Sequence, residues 1–243
     1  MFLDSDDWIH SRTLEVLLNA ALENGTDVNV CGYIQTEDSL PMIREDQIFS
    51  MTLTPKAVYQ EQTIGMTVAW GKLYKKECFQ NLRFPVGKLH EDEFTTYQIL
   101  FKQKKISYVP APFYAYYQNP ESITKSSWKP GRMDVFEAYE EQISFFDQIG
   151  EKEIADMCLQ RYLENVNIQH FQIRSMENPG EYIQYVPMME HKMRKLMACQ
   201  RKRNCFEFEK NFPILIRFCP VRAKMELYRR AIVKRIRRHL CRK

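Results

Sequence analysis

Three acidic residues lie close together near the start of the sequence. Asp4, Asp6 and Asp7 fall within four positions and directly follow the apolar residues Phe2 and Leu3. This order predicts the buried end of a strand that delivers carboxylates to a sheet edge, where open α/β sheets bind their ligands. Because neighbouring carboxylates repel one another, they are best tolerated around a divalent cation, and oxygen ligands favour Mg²⁺ or Mn²⁺. The alternative is an Asp-rich turn that caps the next helix.

A second acidic group, Glu91-Asp92-Glu93, follows a loop marked by Pro85 and Gly87 and begins a predicted helix. A carboxylate at this place stays ionised and points out of the sheet edge, as a general base for a hydroxyl group would. The alternative is structural, because acidic residues in the first turn of a helix complement its dipole.

The spacing of apolar residues predicts the elements that position these acids. Residues 11–24 are predicted to form a helix and residues 27–34 a strand, so the order strand, acidic turn, helix, strand favours a mixed or parallel sheet covered by helices. Two short strands are predicted at 106–109 and 113–117, and helices at 55–60, 134–148, 154–174 and 181–199. The core-facing stripe predicted for the first helix consists of Leu14, Leu17, Leu18, Ala21 and Leu22.

Three separated segments together resemble the family 2 glycosyltransferases of GT-A fold, especially those that build bacterial capsule, exopolysaccharide or teichoic acid glycans. The segments are residues 2–8 (FLDSDDW), residues 70–93 (with WGKLY, RFP and HEDE) and residues 116–124. The resemblance implies an α/β fold that corresponds to the C-terminal part of a GT-A (nucleotide-diphospho-sugar transferase) domain, with a mixed sheet and a helical extension. It divides the chain into a catalytic part at 1–125, a helical extension at 126–220 and a basic tail at 221–243.

The same resemblance implies roles for the acidic residues. Asp4 and Asp6, with Asp7 nearby, would hold a divalent metal, Mn²⁺ or Mg²⁺, on the diphosphate of a nucleotide-sugar donor. Asp92, paired with Glu91, would take the proton from a hydroxyl group of a glycan or lipid-linked acceptor in an inverting transfer.

The sequence leaves more than one role open for the aromatic residues and cations near these acids. Trp70 and Trp8 are candidates to stack on the sugar or base of the donor, or are aromatic residues of the core and rim. The family often has an Arg where this sequence has Tyr117, and Lys125 or Arg132 is a candidate to replace it. The strand-helix-strand half that begins such enzymes is expected to be missing, since Met1 falls within the strand that leads to the first acids.

The basic residues are concentrated at the C-terminus. Residues 221–243 contain ten Lys or Arg and one acid, although the whole chain has a net charge of only +4. Their apolar residues recur every three or four positions, which predicts a basic amphipathic helix that binds an anionic membrane surface. A solvated helix packed on the domain is the alternative. No nucleic-acid partner is predicted, because no stacking platform or recognition motif accompanies the charge.

Composition and cysteine spacing restrict the class of protein. Hydrophobic residues make up 44% of the chain and charged residues 27%, as in globular proteins. The seven cysteines form no C-x-x-C pair, so neither a zinc site nor a disulfide framework is indicated, and a reducing cytoplasmic compartment fits best. The basic tail adds a peripheral location at the inner face of the membrane to this prediction. Besides a glycosyltransferase, two functions stay open: an inactive remnant that keeps a membrane or binding role, and an unrelated metal-dependent phosphate enzyme.

Overall fold

The computed structural model describes residues 1–37, 41–60, 67–118, 128–218 and 225. The chain divides into two compact units, Met1–Ala155 and Asp156–Lys243. The strands are β1 (Trp8–Ile9), β2 (Val28–Thr36), β3 (Met51–Leu53), β4 (Lys72–Tyr74) and β5 (Ile106–Tyr117). The helices are α1 (Thr13–Asn24), α2 (Pro55–Gln60), α3 (Glu91–Phe101), α4 (Asp134–Gln148), α5 (Lys152–Arg174), α6 (Val186–Lys202) and α7 (Phe208–Phe218). The three-part division at 125 and 220 stays a prediction.

The first unit contains one mixed five-stranded sheet in the order β1-β5-β2-β4, with β3 also paired to β5. β2 and β5 run parallel, whereas β1, β3 and β4 are antiparallel to their neighbours. The described sheet with its helices confirms the predicted α/β class. The carboxyl ends of the parallel pair, at Thr36 and Tyr117, meet at one edge of this sheet.

The structure corrects the prediction of two short strands at 106–109 and 113–117, because Ile106–Tyr117 is one continuous strand. Pro110 and Pro112 do not break it. Its pairing with β2 shifts register on both sides of Gly32, and bulges tolerate proline because they release a residue from the regular ladder. A Cβ at Gly32 would lie 2.2 Å from the backbone oxygen of Pro110, so the bulge brings the two strands too close for any other residue.

We therefore expect Gly32→Ala to lower the free energy of unfolding by about 2–3 kcal/mol, since the added methyl group must push apart two paired strands. Urea unfolding of the purified variant measures this loss. Gly150→Ala is the control, because Gly150 has a φ of +82° but open space around its Cβ position. The stability that Gly150→Ala loses should reflect backbone strain alone, about 1–2 kcal/mol. Wild-type stability in Gly32→Ala would contradict the close approach.

Helix α1 does not bury the stripe that its sequence predicts. Leu14, Leu18 and Leu22 are exposed by 51%, 52% and 74%, so that prediction is wrong for them, although Leu17 is fully buried. A face rotated from the predicted one packs on the sheet, and it consists of Thr13, Val16, Leu17 and Ala20. The Thr13 hydroxyl fixes this rotation, because its Oγ1 lies 2.6 Å from the carbonyl oxygen of His10 and 3.1 Å from that of Phe113 in β5.

The predicted buried strand at the very start of the chain is also wrong. Phe2 forms only an isolated bridge with Trp70, and Phe2 and Leu3 are 39% and 48% exposed. The strand in this region is instead β1, whose residues Trp8 and Ile9 pair with β5. The acidic residues therefore lie on a turn that leads into a strand.

The second unit consists of helices in its described part. The long helices predicted at 154–174 and 181–199 are present as α5 and α6, the latter preceded by a 3₁₀ turn at Gly180–Tyr185. No helix among residues 1–37, 41–60, 67–118, 128–218 and 225 is long and apolar enough to cross a membrane. The basic tail lies outside the described residues apart from Met225, so its amphipathic helix stays a prediction.

Candidate active site

The acidic turn is fastened to the carboxyl end of β5 through Asp7. The hydroxyl of Tyr114 donates to Asp7 Oδ2 at 2.5 Å, and the backbone N–H of Tyr117 donates to Oδ1 at 2.8 Å. The backbone N–H of Asp7 also donates to the carbonyl of Asp4 at 3.2 Å, which closes the turn. Asp7 therefore has a positioning role in this structure, and both carboxylate oxygens already accept hydrogen bonds.

Asp4 lies in the field of the other acids. Burial raises its pKa, and the charges of Asp7, Asp6 and Glu91 raise it further. Glu91 belongs to the second acidic group, so the structure brings together two groups that are far apart in sequence. A cation placed among these carboxylates would offset their repulsion.

Asp92 lies in the first turn of α3 and has the most perturbed carboxyl group of the site. Burial, followed by the charges of Glu93 and Glu91, raises the pKa of Asp92 to about 7. A hydrogen bond from the backbone N–H of Glu93 to Asp92 Oδ1, 2.9 Å long, opposes this shift, as does the charge of Lys72. A carboxyl group with this pKa exchanges a proton near neutral pH, which suits a general base.

Glu93 connects helices α3 and α4, a role that the sequence did not predict. Gln142 of α4 donates through Nε2 to Glu93 Oε2 at 2.8 Å, and to the carbonyl of the same residue at 2.7 Å. Thr67 donates to Glu93 Oε1 at 3.1 Å, and the hydroxyl of Tyr59 donates to Gln142 Oε1 at 2.6 Å. Glu93 therefore anchors the start of α3 next to Asp92. Nothing in the acidic triplet itself distinguishes this residue from its neighbours.

Lys72 is a second residue that sequence reasoning did not single out. Its side chain is fully buried, and Nζ donates to the carbonyls of Val68 at 2.7 Å and Trp70 at 3.4 Å. Burial lowers the pKa of Lys72 to about 7, while the charges of Cys31 and Asp92 act against this shift. The signal in the sequence is a lysine in an otherwise apolar strand, which is unusual for a residue with a charged tip.

Trp70 belongs to an aromatic cluster at the same end of the sheet. Its ring stacks on Tyr114 and Tyr116, with centroids 4.6 Å and 5.5 Å away, and meets Tyr33 edge-on at 5.0 Å. The ring centroids of Trp8 and Tyr117 are 6.0 Å apart. These contacts give both tryptophans a packing role, and contact with a donor stays a prediction.

Two further candidates flank the acids. His90 precedes α3 in the left-handed conformation, with a φ of 60°, and burial lowers the pKa of its imidazole. Arg132, proposed to replace a missing cation, is buried, and its charge lowers the pKa of His90 further. Arg132 therefore lies near the start of α3. Lys125, the other candidate, is outside the described residues.

The site offers oxygen donors to a divalent cation without forming a complete protein cage. Within the part of the chain that the structure describes, no three His, Cys, Asp or Glu side chains are grouped as metal ligands. Mg²⁺ is usually held by one or two carboxylates together with substrate phosphates, and mutual repulsion at Asp4 favours such a cation. A divalent cation held by Asp4 and Asp6 together with a phosphate-bearing ligand stays a prediction.

Comparison with known proteins finds glycosyltransferases among the relatives of this chain. No protein-family model matches the chain. The chain is 25% identical over 212 residues to the glycosyltransferase GlyA of Streptococcus pneumoniae. This match covers 83% of the chain and 30% of GlyA. The chain is 29% identical over 158 residues to EpsH of Bacillus subtilis, which is named as a glycosyltransferase, and this match covers 60% of the chain and 45% of EpsH. The relatives that the chain resembles in sequence are therefore glycosyltransferases.

The glycosyltransferase homology has a limited extent. The chain spans less than half the length of GlyA and of EpsH. Among solved structures, S. aureus TarS 1-349 aligns with 68% of this chain and 45% of that one, at 18% identity and a TM-score of 0.45. TarS 1-349 in complex with UDP-GlcNAc aligns with 88% of this chain and 51% of its own, at 12% identity and a TM-score of 0.42. These structural similarities are weak.

Proposed function

We propose that this chain supplies the acceptor side and part of the donor site of a glycosyltransferase. The enzyme would transfer a sugar from a nucleotide-sugar donor to a hydroxyl group of a glycan or lipid-linked acceptor, with inversion. The observation that carries the proposal is the attachment of the acidic turn to the carboxyl end of β5 through Asp7, because ligands of open α/β sheets bind at this edge. The names of the relatives GlyA and EpsH also support it.

Asp92 is the proposed general base. Its pKa of about 7 leaves the carboxylate ready to take the proton of the acceptor hydroxyl as that oxygen attacks the anomeric carbon. The bond from this carbon to the diphosphate oxygen breaks, and positive charge develops on the sugar ring, as in glycoside chemistry generally. Glu93 would keep Asp92 in place through its hydrogen bonds to Gln142 and Thr67.

The donor diphosphate is proposed to lie at the acidic turn. Asp4 and Asp6 would hold a divalent cation there, and such a cation offsets negative charge on a departing diphosphate. Asp7 would fix the turn to β5, because Tyr114 and Tyr117 already bind both of its oxygens. Trp70 is the proposed aromatic contact of the donor at this end of the sheet.

An anionic membrane surface is the proposed location of the acceptor. The ten basic residues of 221–243 would draw the chain to anionic lipids at roughly 1 kcal/mol per residue near the surface. Such attachment suits an enzyme that works on a lipid-linked acceptor.

The donor site is tested by isothermal titration with Mn²⁺ and UDP of a chain that also carries the strand-helix-strand half of the donor site. Asp6→Ala is expected to abolish metal-dependent UDP binding, since the cation loses one of its two proposed carboxylates. Asp46→Ala is the matched control, because Asp46 is an exposed carboxylate that pairs with Arg44 in the same unit. Binding that is unchanged in Asp6→Ala, or equally weakened in Asp46→Ala, would sink the assignment.

A further inference from the structure

The second unit contains a cavity that the proposed transfer reaction does not use. Its volume is about 450 Å³, within the usual range of small-ligand pockets. Helices α5, α6 and α7 each contribute to its lining. The residues that matter for its chemistry are His170, Phe171, Arg174, Glu190, Arg194 and Arg217.

The lining carries an excess of positive charge. Three arginines face one acid, and Arg194 pairs with that acid, Glu190, at 3.4 Å. Among the described residues, neither Arg174 nor Arg217 forms an ion pair with a carboxylate. Arg217 instead lies over the ring of Phe171, with 5.6 Å between Cζ and the ring centroid. With His170 neutral, the cavity lining therefore has a net charge of about +2.

His170 is a buried polar group beside this cavity that lacks a hydrogen bond. Its side chain is only 3% exposed, and neither ring nitrogen is hydrogen-bonded to any described residue. Nε2 lies 3.5 Å from Glu190 Oε1, too far for a good hydrogen bond, and the ring packs edge-on against Phe218 at 4.9 Å. Both ring nitrogens are covered by protein atoms, so the imidazole lies directly behind the lining and does not open into the cavity.

We propose that this cavity binds the phosphate group of an organic phosphomonoester. A dianion matches the net charge of the lining, and guanidinium groups bind phosphate through paired N–H donors in a fixed geometry. A phosphate ion alone would leave much of the cavity empty, and Phe171 offers an apolar surface for the organic part. This site is separate from the acidic turn and does not depend on the proposed transfer reaction.

Isothermal titration of the whole chain with glycerol 3-phosphate tests the site, with acetate at equal ionic strength as the comparison anion. Glycerol 3-phosphate should bind more tightly than acetate, and Arg217→Gln and Arg174→Gln should each weaken its binding about tenfold. Both arginines are exposed at the surface, so the helices should fold without them. Lys195→Gln is the control, because Lys195 is an exposed cation on α6 that does not line the cavity.

The NMR resonances of the His170 ring give a second measurement. They should move during the glycerol 3-phosphate titration and stay still with acetate, because a dianion bound by the arginines changes the electric field at the imidazole behind the lining. Vesicles of phosphatidic acid in phosphatidylcholine distinguish a lipid source from a soluble one. A lipid ligand predicts that Arg217→Gln loses vesicle binding, relative to Lys195→Gln, while glycerol 3-phosphate binds weakly. Loss of neither ligand in Arg217→Gln, or equal loss in Lys195→Gln, would overturn the proposal.

Discussion

In a chain that also carries the strand-helix-strand half of the donor site, Asp92→Asn is expected to lower the rate of sugar transfer by about 10²–10⁴, the usual contribution of a general base. The amide keeps the shape of the carboxyl group but cannot take the proton of an acceptor hydroxyl. The measurement is release of nucleoside diphosphate from a panel of UDP- and GDP-linked sugars in the presence of Mn²⁺. Donor affinity should change little, because Asp92 acts on the acceptor.

The pH dependence of the free energy of unfolding, compared between the wild type and Asp92→Asn, gives an independent check. Burial and the charges of Glu93 and Glu91 raise the pKa of Asp92 to about 7 in the folded chain, from 3.8. Between these two values the unfolded chain has released this proton and the folded chain has kept it. The free energy of unfolding should therefore fall as pH rises from about 4 to 7, by at most about 4 kcal/mol from this residue. Asp92→Asn should lack this part of the decline.

Asp46→Asn is the matched control for both measurements, since Asp46 is an exposed carboxylate that pairs with Arg44. It should keep the wild-type rate and the wild-type pH dependence of unfolding. Transfer by Asp92→Asn at the wild-type rate would leave Asp92 with the structural role of an acid in the first turn of a helix.

Some of the site could be predicted because acidic clusters are conspicuous in a sequence. Asp4, Asp6 and Asp92 were selected by their residue type and by the apolar segments beside them. Only the resemblance to a known family predicted that the two acidic groups lie near each other. The charge of Glu91, which raises the pKa of Asp4, indicates this proximity in the structure. Glu93 could not be assigned a role, since its partner Gln142 lies 49 positions away and nothing in the local pattern indicates it.

The fold was predictable in class and less so in detail. The 3.6-residue period fits more than one face of α1, and the face chosen depends on the hydroxyl of Thr13, which bonds β5 about a hundred residues later in the chain. The prolines of β5 suggested a break, but a bulge at Gly32 accommodates them. The arginines of the cavity in the second unit come from three helices, and each alone resembles an ordinary solvated charge.

The second large effect is expected at Lys72, whose replacement by Ala should lower the free energy of unfolding by about 3–5 kcal/mol. The side chain is fully buried, so its removal leaves a cavity. It also leaves the carbonyls of Val68 and Trp70 without the donor that Nζ provides. Urea unfolding at pH 7 measures the loss.

Lys72→Met separates the two causes, because methionine fills most of the volume of the lysine stem but donates no hydrogen bond. It should cost about 1–3 kcal/mol, the penalty of leaving the two carbonyls unpaired. The same variant should raise the pKa of Asp92 further, since the charge of Lys72 lowers that pKa. The midpoint of the pH dependence of transfer should then move to higher pH. A Lys72→Ala chain within about 1 kcal/mol of the wild type would show that Lys72 does not stabilise this end of the sheet.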